Sequence, residues 1–277
     1  MLLAVDIGNT NITLGVFNTN LETQQNSRIE IIPIRQPKTT PLTVSWRLST
    51  TPSATADEYG TKILDLMHYA VIERRQIKAI AIANVVPSLT PIFEELSQKY
   101  FKIKPLIIGK NVKIPIPNLY DNPKEVGADR IVNALAVYAR FGGPCIVVDF
   151  GTATTFDCIT KKGEYAGGII VPGPILAAES LALHTAKLPK VEMAKPQHLI
   201  GKNTVESIQS GLYFGYLSLV DGLIERLRTD LGKNAKIVAT GGLASLIASD
   251  SIFIRKENVI PDLTLEGIYL LYEKNQQ

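Results

Sequence analysis

Three apolar runs in this chain each break into a glycine-bearing turn. Leu2–Val5 runs into Asp6-Ile7-Gly8-Asn9-Thr10, Cys145–Val148 into Asp149-Phe150-Gly151-Thr152, and Ile237–Ala239 into Thr240-Gly241-Gly242. Glycine lets a backbone approach an anion closely, and successive N–H groups in such a turn make a nest for phosphate oxygens. Asp6 and Asp149 close buried strands, where a carboxylate is costly unless a cation or hydrogen-bond donors meet it. None of the three is a Walker loop: the Lys-Ser/Thr ending is missing, and the first two turns lead into further strands. No Gly-x-Gly-x-x-Gly dinucleotide fingerprint occurs either. A single Asp-x-Gly is an ordinary Asx turn. Two of them in register, half a chain apart, with a Gly-Gly loop besides, point to phosphate binding. The use left for such turns is a cleft between two repeated halves, one loop gripping each end of a nucleotide.

A further group of polar residues runs from Tyr120 to Arg130, with Gly127-Ala128-Asp129-Arg130 at its end. A helix is expected over Arg130–Phe141, stopped by Gly142-Gly143, which puts Asp129 at its first turn. There an acid complements the helix dipole, worth about 0.3–1 kcal/mol. The same position suits a catalytic carboxylate, and the residues alone leave both readings open.

The elements that must position these turns alternate. A hairpin is expected from Leu2–Val5 and Ile12–Phe17, followed by polar loop over Asn18–Gln25. Ile29–Ile34 and Val44–Leu48 read as strands separated by a Pro/Thr-rich link at Pro37–Pro41. Thr55-Ala56-Asp57-Glu58 matches a capping box and predicts a helix over 56–74. Strand character follows at Lys78–Val86, a helix near Leu89–Phe101 and a short strand at Pro105–Ile108. The second half opens as the first does, with an apolar run, an Asp-x-Gly turn and a returning strand at Phe156–Thr160. This predicts an internal duplication of α/β halves with mixed sheets. A long helix is expected from Asn203-Thr204 to Leu231, with Gly211, Gly215 and Gly222 on one face. Glycine within a helix costs about 0.5–1 kcal/mol against alanine. Close packing against another backbone, in this chain or a second copy, would explain three on one face.

Composition narrows the function class. Of 277 residues 45% are hydrophobic, enough for a sizeable core, and 29 basic residues face 26 acidic ones. No basic stripe suits nucleic acid. The two cysteines, Cys145 and Cys158, lie in apolar runs, and the three histidines are scattered, so neither a disulfide framework nor a zinc site is indicated. The N-terminus lacks a basic signal-peptide region, and the apolar stretch Ala166–Ala178 is broken by glycine and proline. The expectation is a cytoplasmic protein with no membrane or nucleic-acid partner.

These blocks together resemble the type III pantothenate kinases, of the acetate kinase/sugar kinase/actin-like superfamily. The likeness extends over Asp6–Asn11, Trp46–Thr50 with Thr55–Tyr59, Gly127–Arg130, and Asp149–Asp157. It continues through Gly167-Gly168, Pro172-Gly173, Leu188-Pro189, Asn203–Gly211 and Ala239–Gly242. The resemblance implies a duplicated actin-like (ribonuclease H-like) ATPase fold, with lobes over 1–125 and 126–277. It implies phosphorylation of pantothenate by ATP at the start of coenzyme A biosynthesis. Asp6, Ile7, Gly8, Asn9, Thr10, Asn11, Ile12 and Thr13 would cradle ATP, with Asp6 near Mg²⁺ through phosphates or water, and Thr152 would contact the nucleotide. Asp129 would be the base, and Tyr120, Gly127, Ala128, Asp129 and Arg130 would line the pantothenate site. Asp149 would help hold K⁺ or NH₄⁺, and Thr204 would reach pantothenate across a homodimer interface. Two departures stand out: a longer, more polar segment over Asn18–Ser45, and no arginine in Pro52-Ser53-Ala54 before the Thr-Ala-Asp-Glu block. Rival readings are another phosphotransferase on the same fold, a non-enzymatic regulator and an actin-type structural protein. The regulator predicts decay at Asp6, Asp129 and Asp149, and all three are present.

Overall fold

The computed structural model describes residues 1–19, 41–110 and 112–276. The expected strand Ile29–Ile34, the link before Pro41 and most of the polar loop Asn18–Gln25 lie outside them. In chain order the first elements are β1 (Leu2–Ile7), β2 (Asn11–Phe17), β3 (Leu42–Ser49), α1 (Ala56–Tyr69), β4 (Ala79–Asn84), α2 (Thr90–Leu96), β5 (Leu106–Ile107) and α3 (Ala128–Phe141). Then come β6 (Cys145–Phe150), β7 (Ala153–Ile159), β8 (Tyr165–Pro172), α4 (Pro174–Leu183), α5 (Thr204–Leu231), β9 (Lys236–Gly241), α6 (Ala244–Ala248) and α7 (Leu263–Asn275). The chain forms two compact units, Met1–Arg140 with Asp262–Gln277, and Phe141–Pro261. This differs from the 1–125 and 126–277 lobes expected. The first unit keeps α3 and regains α7, which packs on β1, β2 and β4.

In the first unit the strands lie in the order β3-β2-β1-β4-β5. β1 and β2 form the expected antiparallel hairpin, with Asp6 opposite Thr13, and β1 runs parallel to β4. Alternation sorts the side chains. Leu3, Val5, Ile7, Ile12, Leu14 and Val16 pack with Tyr59, Ile63 and Met67 of α1 and Phe93 and Leu96 of α2. Asp6 therefore belongs to the opposite face, where α7 lies: Leu265 approaches Gly15, and Tyr269 stacks on Phe17 at 4.9 Å. α7 also reaches α3. Gly267 lies so close to the Val132 carbonyl that no Cβ would fit, and Thr264 Oγ1 donates to Asn133 Oδ1 at 2.9 Å.

The capping box is present: the Thr55 amide donates to Glu58 Oε2 at 2.7 Å, and the Glu58 amide to Thr55 Oγ1 at 3.3 Å. The helix it starts ends at Tyr69, short of Arg74. The Val71 amide bonds the His68 carbonyl and the Ile72 amide bonds the Met67 carbonyl, a Schellman closure with Val71 at φ 57°. Ile72 and Met67 are both buried in the core, and that contact offsets the strain of a β-branched residue in the left-handed region.

The second unit repeats the plan in the order β8-β7-β6-β9. β6 pairs antiparallel with β7 and parallel with β9. A lone parallel bridge between Ala239 and Val259 stands where the first unit has β5. Ile146, Val148, Phe150, Phe156 and Cys158 pack against Tyr216, Val220 and Ile224 of α5 and Ala244 and Ile247 of α6. The inner face of β6 thus repeats that of β1, and the outer face carries Asp149 as the other carries Asp6. α5 has the predicted limits, but Gly211, Gly215 and Gly222 face open space: a Cβ on any of them would meet nothing within 4 Å. Packing among the described residues is not their reason.

Candidate active site

In the first unit the turn after β1 is held from inside. The Gly8 amide donates to the Asn11 carbonyl at 3.0 Å, and Thr50, just beyond β3, donates its hydroxyl to the Gly8 carbonyl at 2.6 Å. The Thr50 amide in turn bonds the Thr10 carbonyl at 3.0 Å. Ile7 and Ile12 are buried beneath, so the exposed rim consists of Asn9, Thr10 and Asn11, with Asp6 and Thr13 half-buried behind it. The Gly8 amide is committed to closing the turn.

Asp129 stands at the same end of this sheet. α3 begins at Ala128, two residues ahead of the expected start, so Asp129 lies inside its first turn. Asp129 Oδ1 accepts from the Arg130 amide at 2.8 Å and occupies the space that a side chain at residue 127 would need. A Cβ at residue 127 would also lie 3.5 Å from Val85, whose amide donates to the Ile7 carbonyl at 3.0 Å. Gly127, Asp129 and the turn after β1 are thereby tied to the carboxyl ends of β1 and β4. Burial raises the Asp129 pKa above the ordinary carboxylate value, opposed by the Arg130 amide and charge. Arg130 itself is only 6% exposed. Tyr120 is half-buried, and its amide bonds Asn118 Oδ1 at 3.0 Å in the loop leading to α3.

The second unit carries the matching turn. Asp149 lies opposite Thr155 on β7 and Thr240 on β9. Gly241, at φ 91°, is needed here: a Cβ would come within 2.7 Å of Asp149 Oδ1 and of the Phe150 backbone. Gly173 closes the other side, its amide donating to the Thr152 carbonyl at 2.9 Å, with the Gly151 and Thr152 carbonyls filling the place of any side chain. Thr152 is exposed at the tip. From α5, Tyr216 donates its hydroxyl to Thr154 Oγ1 and lies 3.2 Å from the Pro172 carbonyl, tying the helix to both strands behind the turn. Thr204 is exposed on the first turn of α5, where Asn203 Oδ1 accepts from the Glu206 amide at 2.9 Å. Sequence reasoning missed Tyr216, and it assigned no role to Asp157, the fully buried carboxylate two residues beyond Thr155.

A family model described as Type III pantothenate kinase matches residues 2–226. The chain belongs to the type III pantothenate kinase family. The type III pantothenate kinase of Citrifermentans bemidjiense is 46% identical over 276 residues, covering 100% of both chains. That of Geotalea uraniireducens (strain Rf4) is 47% identical over 277 residues, again covering 100% of both. Among solved structures, the activator of the 2-hydroxyisocaproyl-CoA dehydratase from Clostridium difficile with bound ADPNP superimposes with a TM-score of 0.53 at 12% identity. The match covers 99% of this chain and 95% of that one. At that identity the likeness concerns the fold alone, the duplicated actin-like plan of two mixed α/β sheets that the repeated strand orders also show. No helix among the described residues is long and apolar enough to cross a membrane.

Proposed function

We propose that this chain transfers the γ-phosphoryl group of ATP to the primary alcohol of pantothenate, giving 4′-phosphopantothenate and ADP, the first step of coenzyme A biosynthesis. Membership of the pantothenate kinase family supports the reaction class. The observation that carries the mechanism is the seat of Asp129, a partly buried carboxyl at the same sheet end as the Asp6 turn. In phosphoryl transfer the charge spreads over the phosphoryl oxygens, so positioning and electrostatics supply most of the catalysis. The exposed rim of Asn9, Thr10 and Asn11 orients the phosphates, and Thr152 contacts the nucleotide. Asp129 is held through Oδ1 by the Arg130 amide, and its other oxygen takes the hydroxyl proton late in transfer. Tyr120, Gly127, Ala128 and Arg130 shape the alcohol site.

Among the described residues no three His, Cys, Asp or Glu side chains gather as a metal cage. Asp6 would therefore hold Mg²⁺ with phosphate oxygens or water, as this ion prefers. Mg²⁺ neutralises phosphate charge when bound. Asp149 and its hydroxyl-bearing neighbours form an all-oxygen set suited to K⁺ or NH₄⁺. The chain works as a homodimer in the cytoplasm, where ATP is at hand. Supporting the dimer, the glycine face of α5 is open, Leu219 beside it is exposed, and so are Ile175, Leu176 and Leu181 of α4. Thr204 is then placed to reach pantothenate on the partner copy.

Asp129→Asn tests the base. Its kcat should fall about 10²–10⁴-fold, the usual worth of a general base, with ATP-analogue affinity nearly unchanged by calorimetry. The wild-type acid limb of kcat/KM should lie above the ordinary carboxylate range, because activity is lost as pH falls through the raised pKa. The same shift means the charged form costs stability once pH exceeds the unfolded carboxylate's pKa. The Asn variant should therefore melt at or above the wild-type temperature near neutral pH. Wild-type kcat in the variant would remove Asp129 from this role.

A further inference from the structure

We propose that Thr155 is a second oxygen ligand of the monovalent cation, and that Asp157 is the positioning residue that turns it toward Asp149. The proposal rests on Asp149 as the cation residue.

Asp157 lies on β7 and is 0% exposed. A buried carboxylate needs donors. Two are supplied: the Tyr165 hydroxyl reaches Oδ1 at 2.7 Å, and Thr155 Oγ1 reaches Oδ2 at 3.0 Å. Tyr165 is itself 0% exposed, so it pins Asp157 from within the protein. On the neighbouring strand the residue opposite Asp157 is Gly168, which leaves the ladder bare there.

A threonine hydroxyl has one proton and two lone pairs. Thr155 gives its proton to Asp157, so only lone pairs remain to face anything else. Its direct partner across the ladder is Asp149, and such pairs project on one face with Cβ atoms about 4.5–5.5 Å apart. A threonine lone pair and a carboxylate on one face of the ladder are a pair of oxygens that a cation can bridge. K⁺ is recognised by oxygen atoms that replace its water shell, and NH₄⁺, with protons to give, needs acceptors as well.

The first unit is an internal control. There Asp6 faces Thr13 in the same register, but two residues further on is Gly15, opposite Ser45. Side-chain atoms of Leu265, Leu42 and Phe17 close over Gly15. No carboxylate occupies that position to take the proton of Thr13. The repeat thus carries a second acid only in the unit to which the monovalent cation is assigned.

The test is Tl⁺ binding to the full chain with a non-hydrolysable ATP analogue, followed by thallium-205 NMR and competed with K⁺. Thr155→Val, nearly the same in shape, and Asp157→Asn should each weaken Tl⁺ binding about 10-fold or more, the usual effect of altering a ligand's support. Thr155→Ser should restore it to within about twofold, since only the hydroxyl is required. In activity, the K⁺ concentration for half-maximal rate should rise in parallel, while analogue affinity at saturating K⁺ stays constant. Wild-type Tl⁺ binding in both Thr155→Val and Asp157→Asn, with binding lost in Asp149→Asn, overturns this inference and leaves the Asp149 reading intact. Wild-type Tl⁺ binding in Asp149→Asn overturns both.

Discussion

Two residues past the Asp6–Thr13 pair the first unit has Gly15, roofed by Leu265, Leu42 and Phe17. Two residues past the Asp149–Thr155 pair the second unit has Asp157, held by Tyr165 and Thr155. The strand orders, the registers and the faces turned to the helices otherwise correspond. Around one repeated scaffold the first unit sets its acid on an apolar floor, and its turn presents a rim of exposed polar residues. The second sets its acid beside a buried polar network. A duplicated fold can thus place the same Asp–Thr pair in two electrostatic settings by changing one residue of the same face on the neighbouring strand.

Exchanging the acids should break the symmetry most. Asp6→Asn should lower kcat/KM about 10²–10³-fold, the scale of losing a preorganised electrostatic group, at every K⁺ concentration. The loss in Asp149→Asn should depend on K⁺ and shrink as K⁺ is raised. If steady-state kinetics gave both variants the same K⁺ dependence, the division of labour between the units would fail.

The glycines sharpen the contrast at the level of stability. Gly241→Ala forces a Cβ into Asp149 Oδ1 and the Phe150 backbone at φ 91°, and should cost about 1–3 kcal/mol. Gly8→Ala meets only the Asn11 carbonyl, at 3.0 Å, and should cost less. Thermal or urea unfolding of the two variants reads the order, and the reverse order would contradict the account of the second turn.

The smallest effect should come from the open face of α5. Gly211→Ala and Gly215→Ala meet no atom, so each should stabilise an isolated chain by about 0.5–1 kcal/mol through helix propensity. The same changes should weaken self-association in sedimentation velocity, because a second backbone has less room to approach. Unchanged association would remove this face from the proposed dimer.

Much of the scaffold could be read in the chain because hairpins and caps are local. Leu2–Phe17, the Thr55–Glu58 box and the limits of α5 follow from neighbouring residues, and the two Asp-x-Gly turns exposed the repeat. What escaped was set at a distance. The end of α1 depends on Ile72 reaching the core, and valine at a left-handed cap carries no sequence signal. The return of α7 to the first unit rests on packing such as Gly267 against Val132, far apart in sequence. Of the proposed site residues, Asp6, Asp129 and Asp149 could be picked out by type and motif. Asp157 read as one more polar residue in a strand, because its meaning comes from Tyr165 on the next strand. Tyr216 was hidden for the same reason: its partners, Thr154 and Pro172, come from other elements.

The most direct test of the account is a single reaction followed by mass spectrometry, with ATP, pantothenate, Mg²⁺ and K⁺ supplied to the purified chain. It should form 4′-phosphopantothenate in step with ADP, and omitting pantothenate should stop ADP release. ADP formed without a phosphorylated pantothenate, or a different alcohol phosphorylated in its place, would contradict the assignment.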